Sequence, residues 1–96
     1  MSGWIKGIEK AEGARFNYNG LDYLIGPLDW NSDGYYYFQV YVEGGETYFV
    51  RFYRDKMMWY RDGNYIDTFM LIRSDYETPF SFVRSLQSEL KYVKGK

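Results

Sequence analysis

One run of closely spaced oxygen-bearing side chains is Asp29-Trp30-Asn31-Ser32-Asp33-Gly34. Its D-x-N-x-D-G spacing is that of the opening of an EF-hand calcium loop, where oxygens at alternate positions meet a hard cation and a glycine permits the sharp turn. Asp29, Asn31 and Asp33 are the candidate ligands. The rest of the motif fails, because Val40 stands where the bidentate Glu belongs and no helical pattern flanks the loop. Asn, Asp, Ser and Gly are also the residues of any turn, so the expectation is a plain connection with no bound metal, and loop-based calcium binding is kept as an alternative. Asp29 with Asp33 could in principle work as paired carboxylates, but two acids in a turn more often serve its hydrogen bonds.

Other reactive chemistry is thin. The chain has no His, which removes the usual general base near neutral pH and the commonest metal ligand, and no Cys, which removes thiolate chemistry and disulfides. There is no Gly-rich phosphate loop followed by Lys and Ser or Thr, and no nucleophile elbow. A non-enzymatic protein without a cofactor is expected.

What remains is aromatic. Tyr, Phe and Trp make up 23% of the 96 residues, 12 of them Tyr, whose hydroxyls let a ring sit half in water. From Tyr35 to Ile72 these rings alternate with a second set of apolar residues, the period of β-strands with two apolar faces. One face is expected to carry Tyr35, Tyr37, Tyr41, Phe49, Arg51, Tyr53, Met58, Tyr60, Tyr65 and Phe69, with Gln39 and Asp67 among them. A solvated strand face normally reads as Thr, Lys, Glu and Ser. Such a face is commonly covered, here by the N-terminal hairpin and Trp4 or by curling of the sheet into a barrel. Left open, it has the residue types of an interface centre, and the candidate partner-binding residues are Tyr37, Gln39, Tyr41, Phe49, Arg51, Tyr53, Met58, Tyr60 and Tyr65. The function expected is recognition of another protein, as an adaptor, an immunity-type protein or an inhibitor of a larger enzyme, with self-association in the same class. Stacking of single-stranded nucleic acid on the same rings is the alternative. A net charge of −1 weighs against it.

The elements that must position these residues are marked by turns. Asn19-Gly20 signals a two-residue type I′ hairpin, with Tyr18 opposite Leu21, Phe16 opposite Tyr23 and Ala14 opposite Ile25. Gly26-Pro27 ends that strand, and residues 28–34 are expected to be a polar connection. A three-residue loop around Gly44-Gly45 would set Val42, Val40 and Phe38 beside Tyr48, Val50 and Phe52. A turn at Asp55-Lys56 would set Phe52 beside Trp59 and Arg51 beside Tyr60. Asp62-Gly63, a second type I′ signal, would set Trp59 beside Ile66 and Tyr60 beside Tyr65. An inner row Phe38-Phe52-Trp59-Ile66 and an outer row Gln39-Arg51-Tyr60-Tyr65 follow.

After Ile72 the period changes. Thr78-Pro79 is an N-cap followed by the residue favoured at the first helical position. Phe82, Val83, Leu86, Leu90 and Val93 recur at helical spacing, with Arg84, Ser85, Gln87, Ser88, Glu89 and Lys91 assigned to the opposite side. Lys91, Lys94 and Lys96 complement the dipole at the helix end. Near the start, Trp4, Ile5, Ile8 and Ala11 also fall at helical spacing with Ser2 as a cap, although Gly3, Gly7 and Gly13 weaken that helix. The expectation is one α+β domain, residues 1–96. It has a mostly antiparallel sheet of about six strands with a central four-stranded meander (14–18, 21–25, 35–43, 46–54, 57–61 and 65–72) against a helix over 79–93. No apolar run reaches the length of an export signal or a membrane span, so a cytoplasmic protein with no membrane partner is expected.

Overall fold

Asn19 and Gly20 both hold positive φ, 51° and 83°, and Asp62 and Gly63 do the same at 53° and 78°. These are the two type I′ turns that the sequence signals, and each joins strands in the expected register next to the turn. A computed structural model describes residues 5–95, so the expected roles of Ser2, Gly3, Trp4 and Lys96 lie outside the described residues. The chain runs α1 (Lys6–Lys10), β1 (Arg15–Tyr18), β2 (Leu21–Ile25), β3 (Asp29–Asn31), β4 (Tyr35–Val42), β5 (Thr47–Phe52), β6 (Lys56–Arg61), β7 (Asn64–Met70), a 3₁₀ turn at Arg73–Asp75 and α2 (Pro79–Val93). The fold is α+β, and its antiparallel sheet has seven strands in the order β1-β2-β4-β5-β6-β7, with β3 also paired to β4.

The additional strand lies in the segment expected to be irregular. β2 pairs with one half of β4 (Ile25 with Val40) and β3 with the other half (Asp29 with Tyr37). Between them Gly26-Pro27-Leu28 inserts one extra residue, as a bulge does, and the Gly26 N–H still reaches the Gln39 carbonyl at 2.8 Å. Glycine fits closely here: a Cβ on Gly26 would stand 2.9 Å from the Tyr41 ring and 3.0 Å from the Gln39 carbonyl, so a larger residue would displace the ring.

Three registers differ from expectation, for two physical reasons. The β4–β5 loop has the expected three residues, but they are 43–45, and the Val42 N–H donates to the Glu46 carbonyl at 2.8 Å. Phe38 therefore sits opposite Val50, and Tyr36 opposite Phe52. The next turn is Arg54-Asp55, not Asp55-Lys56, because the Tyr53 N–H bonds the Lys56 carbonyl at 2.8 Å, so Phe52 meets Met57 and Val50 meets Trp59. Each slip is two residues, which leaves every side chain on its expected face. The third difference does change faces. Tyr60 pairs with Tyr65 as expected, but a bulge at Ile66 puts Asp67 opposite Trp59 and Phe69 opposite Met57. Asp67 and Phe69 thus leave the outer face for the inner one, where Phe69 lies 6.0 Å from the Tyr92 ring.

The inner face is the core. Phe38, Val40, Tyr48, Val50, Phe52, Met57 and Trp59 are at most 1% exposed, and burying a large apolar side chain of this kind contributes on the order of 1.5–3 kcal/mol. α2 crosses this face, with Phe82 edge-on to Phe38 at 5.5 Å and to Phe52 at 6.0 Å. Its start is capped as expected: the Ser81 N–H donates to Thr78 Oγ1 at 3.0 Å, with Pro79 in the first turn. α1 joins the same side, burying Ile5, Ile8 and Ala11 in the one core. Gly7 makes this approach possible, since a Cβ there would run into the backbone of Tyr76 and Glu77.

Candidate functional site

Helices α1 and α2 both lie on the inner face, and the β1–β2 hairpin extends the sheet sideways instead of folding over it. None of the described elements covers the outer face of β4 to β7. The rings there are half-buried by one another: Tyr35, Tyr37, Phe49, Tyr53 and Tyr60 are each intermediate in exposure, and Tyr65 is 55% exposed.

The strands set the geometry. Across the sheet, Gln39 faces Phe49, Phe49 faces Tyr60 and Tyr60 faces Tyr65. In the adjacent row Tyr37 faces Arg51 and Arg51 faces Met58. Tyr37 stacks on Phe49 with ring centres 5.3 Å apart, Phe49 meets Tyr60 edge-on at 6.3 Å, and Tyr60 meets Tyr65 edge-on at 5.8 Å. Tyr53 joins the cluster through Tyr35, at 5.7 Å. The sheet thus brings together every candidate except Tyr41, which stands to one side over Gly26 and donates its hydroxyl to Gln39 Oε1 at 2.7 Å. The outer row expected through Arg51 runs instead through Phe49, the consequence of the two-residue slips.

Arg51 is the centre of this face. Its guanidinium lies 4.8 Å from the Tyr35 ring centre and 4.8 Å from that of Tyr60, a cation between two π faces. Its Nε is buried and has no hydrogen-bond partner. Beside it Gln39, Thr47, Phe49, Tyr60 and Asp62 border a hollow of about 440 Å³. Tyr35, Thr47 and Asp62 are contributors that the candidate set lacked; Tyr35 and Thr47 were legible in the alternation, Thr47 standing two residues before Phe49.

Asp29, Asn31 and Asp33 sit on β3 and the turn after it. Asn31 Oδ1 accepts the Asp33 N–H at 2.7 Å and the Gly34 N–H reaches the Asn31 carbonyl at 3.0 Å, so these residues build the β3–β4 hairpin. Among the described residues no three His, Cys, Asp or Glu side chains gather as metal ligands do, and no helix is long and apolar enough to cross a membrane.

A second concavity, about 470 Å³, lies at the other end of the molecule between β7, the 3₁₀ turn and α2. Glu89 lines it. Assigned by pattern to the polar side of α2, Glu89 is 6% exposed and faces the core. Its Oε1 accepts the indole N–H of the fully buried Trp59 at 2.6 Å. Burial pushes the carboxyl up to about 8; the Trp59 hydrogen bond opposes the rise, and the Asp75 and Asp67 carboxylates add to it. The signal was present, since Phe82, Leu86, Glu89 and Val93 are a single i, i+4, i+7, i+11 stripe.

Fold and surface together define a small α+β domain with an aromatic sheet face that no described element covers. No known protein family, curated protein or solved structure matches the chain.

Proposed function

We propose that this protein is a non-enzymatic protein-binding module and that its contact surface is the outer face of β4 to β7, centred on Tyr37, Phe49, Arg51 and Tyr60. The observation that supports it is the placement of both described helices on one face, which leaves a four-strand array of rings that none of the described elements covers. Tyr, Phe, Met and Arg are the residue types enriched at interface centres, and rings already locked against one another lose little freedom when a partner arrives. An adaptor, an immunity-type protein or an inhibitor of a larger enzyme would use such a face, in a cytoplasm where a cysteine-free chain needs no oxidising environment.

Paired capture from the source cell tests this. Wild-type protein, Phe49→Ser and Arg51→Glu are immobilised in parallel, with folding checked by circular dichroism. A partner retained by wild type and lost from both variants is the expected result. A partner retained equally by all three would place the contact elsewhere. Light scattering of the same proteins separates a foreign partner from a second copy of the chain. A labelled oligonucleotide that shifts at low salt with wild type and not with Phe49→Ser would favour the nucleic-acid alternative.

A further inference from the structure

We infer that the cavity between β7 and α2 is a binding site for an organic cation, a primary ammonium head carrying a short apolar body. It stands apart from the aromatic face and does not depend on what that face binds. At about 470 Å³ the cavity has the size of a small-ligand pocket. Its wall is of two kinds. Phe69, Leu71 and Met70 on the sheet side and Phe80 on the helix side are apolar, with Met70 and Phe80 standing 71% and 70% exposed at the rim. The rest of the lining is polar, Glu89 and Asp75 with four serines, and Arg84 stands in the same wall.

The state of Glu89 points to the ligand's charge. Its side chain is 94% removed from solvent (6% exposed), and Trp59 holds Oε1. Oε2 accepts no hydrogen bond among the described residues and keeps some contact with solvent, and Glu89 lines the cavity. A carboxyl that is buried, half-satisfied and reachable is completed by a donor that also brings a positive charge. The charged groups around it leave that place vacant. Asp75 in the 3₁₀ turn and Asp67 on β7 are both acids, and Arg84 on α2 lies with its guanidinium 5.6 Å over the Phe80 ring, not on Glu89. The ammonium would donate to Glu89 Oε2, with the Ser88 hydroxyl within the same wall, and the body would lie between Phe69 and Phe80.

Binding of a cation to a carboxyl that is protonated in the unliganded protein expels its proton to the buffer. Affinity for an amine that stays charged should therefore rise with pH through the titration of Glu89 near 8.

The test uses 2-phenylethylammonium as probe and 2-phenylethanol as its neutral counterpart, titrated into the whole chain by calorimetry at pH 6.5 and 8.5. Expected is saturable one-to-one binding of the ammonium, roughly twentyfold tighter at pH 8.5, with proton release detected as a dependence on buffer ionisation heat. The alcohol should not saturate. Glu89→Gln, which keeps an acceptor for Trp59, and Ser88→Trp, which fills the mouth from an exposed position, should each abolish binding. Absence of saturable binding by folded wild type at both pH values overturns the proposal, as does equal binding of the alcohol or unchanged binding by both variants. The same ammonium occurs on free amines and on lysine side chains; Nα-acetyl-lysine amide run alongside shows which form the site prefers.

Discussion

A carboxylic acid that sits between an indole N–H and a cavity holds its proton longer in the folded chain than in the unfolded one. For Glu89 the folded value is about 8 against an ordinary 4.5. Below the ordinary value both states are protonated and the folded protein keeps its full stability. As pH rises from 4.5 to 8 the unfolded chain ionises and the folded one does not, so stability falls through that window, by an amount on the order of 4 kcal/mol. Glu89→Gln removes the titration. In urea melts at pH 4.5 and pH 8.5, wild type should lose stability at the higher pH while the variant stays nearly level, leaving Glu89→Gln the more stable protein there. A parallel fall in both proteins would mean that Glu89 is not the group responsible.

At the scale of elements, two glycines do different work. Gly63 has φ +78° and open space around it, so Gly63→Ala pays only for a left-handed backbone, about 1 kcal/mol. Gly7 lies inside α1, where alanine gains helix propensity of about 1 kcal/mol. Its Cβ, however, would stand 2.8 Å from the Glu77 backbone carbon, and overpacking of this kind costs roughly 1–3 kcal/mol. Gly7→Ala is therefore expected to destabilise despite its better propensity, with α1 lifting from the Tyr76-Glu77 segment; a rise in melting temperature would show that the segment yields. Much of this level was legible beforehand. Asn19-Gly20 and Asp62-Gly63 declared their turn type because few residues tolerate positive φ, and Thr78-Pro79 declared the start of α2. Glu43 to Glu46 and Arg54 to Lys56 declared a turn without saying which residues close it, so the register slipped while the faces held. Ile66 could not be read at all: either register keeps an apolar residue beside Trp59 or Met57, so the alternation does not choose between them. Glu89 was misplaced because its charge outweighed its position in the stripe.

Over the whole molecule, the end of α2 is tied to three strands through Lys94 and the Glu46 carboxylate. Glu46 pairs with Arg61 at 3.5 Å and with Lys94 at 3.6 Å, accepts the Tyr48 hydroxyl at 3.2 Å, and Lys94 donates onward to the Tyr23 hydroxyl at 3.2 Å. These ion-pair partners are about one-third exposed, with side-chain accessibilities of 30–37%, so water and salt weaken the Coulomb gain. Glu46→Gln is expected to cost under about 1 kcal/mol, and less still in 1 M salt. Phe82→Ala, which empties the place where α2 meets Phe38 and Phe52, is expected to cost roughly 3–5 kcal/mol at any ionic strength. Denaturant melts of both variants at low and high salt separate a surface clasp from a core contact.

The kink at Gly26-Pro27 has one more consequence. By dividing a single run of chain into β2 and β3, it gives β4 hydrogen-bonded neighbours along both of its edges, with β5 on the far side. β1 and β7 each have one edge without a strand. Amide protons of β1 and β7 can then trade with deuterium by fraying, whereas those of β4 must wait for the whole domain to open. The slowest-exchanging amides should map to residues 36–42, and their rate should report the global unfolding free energy directly.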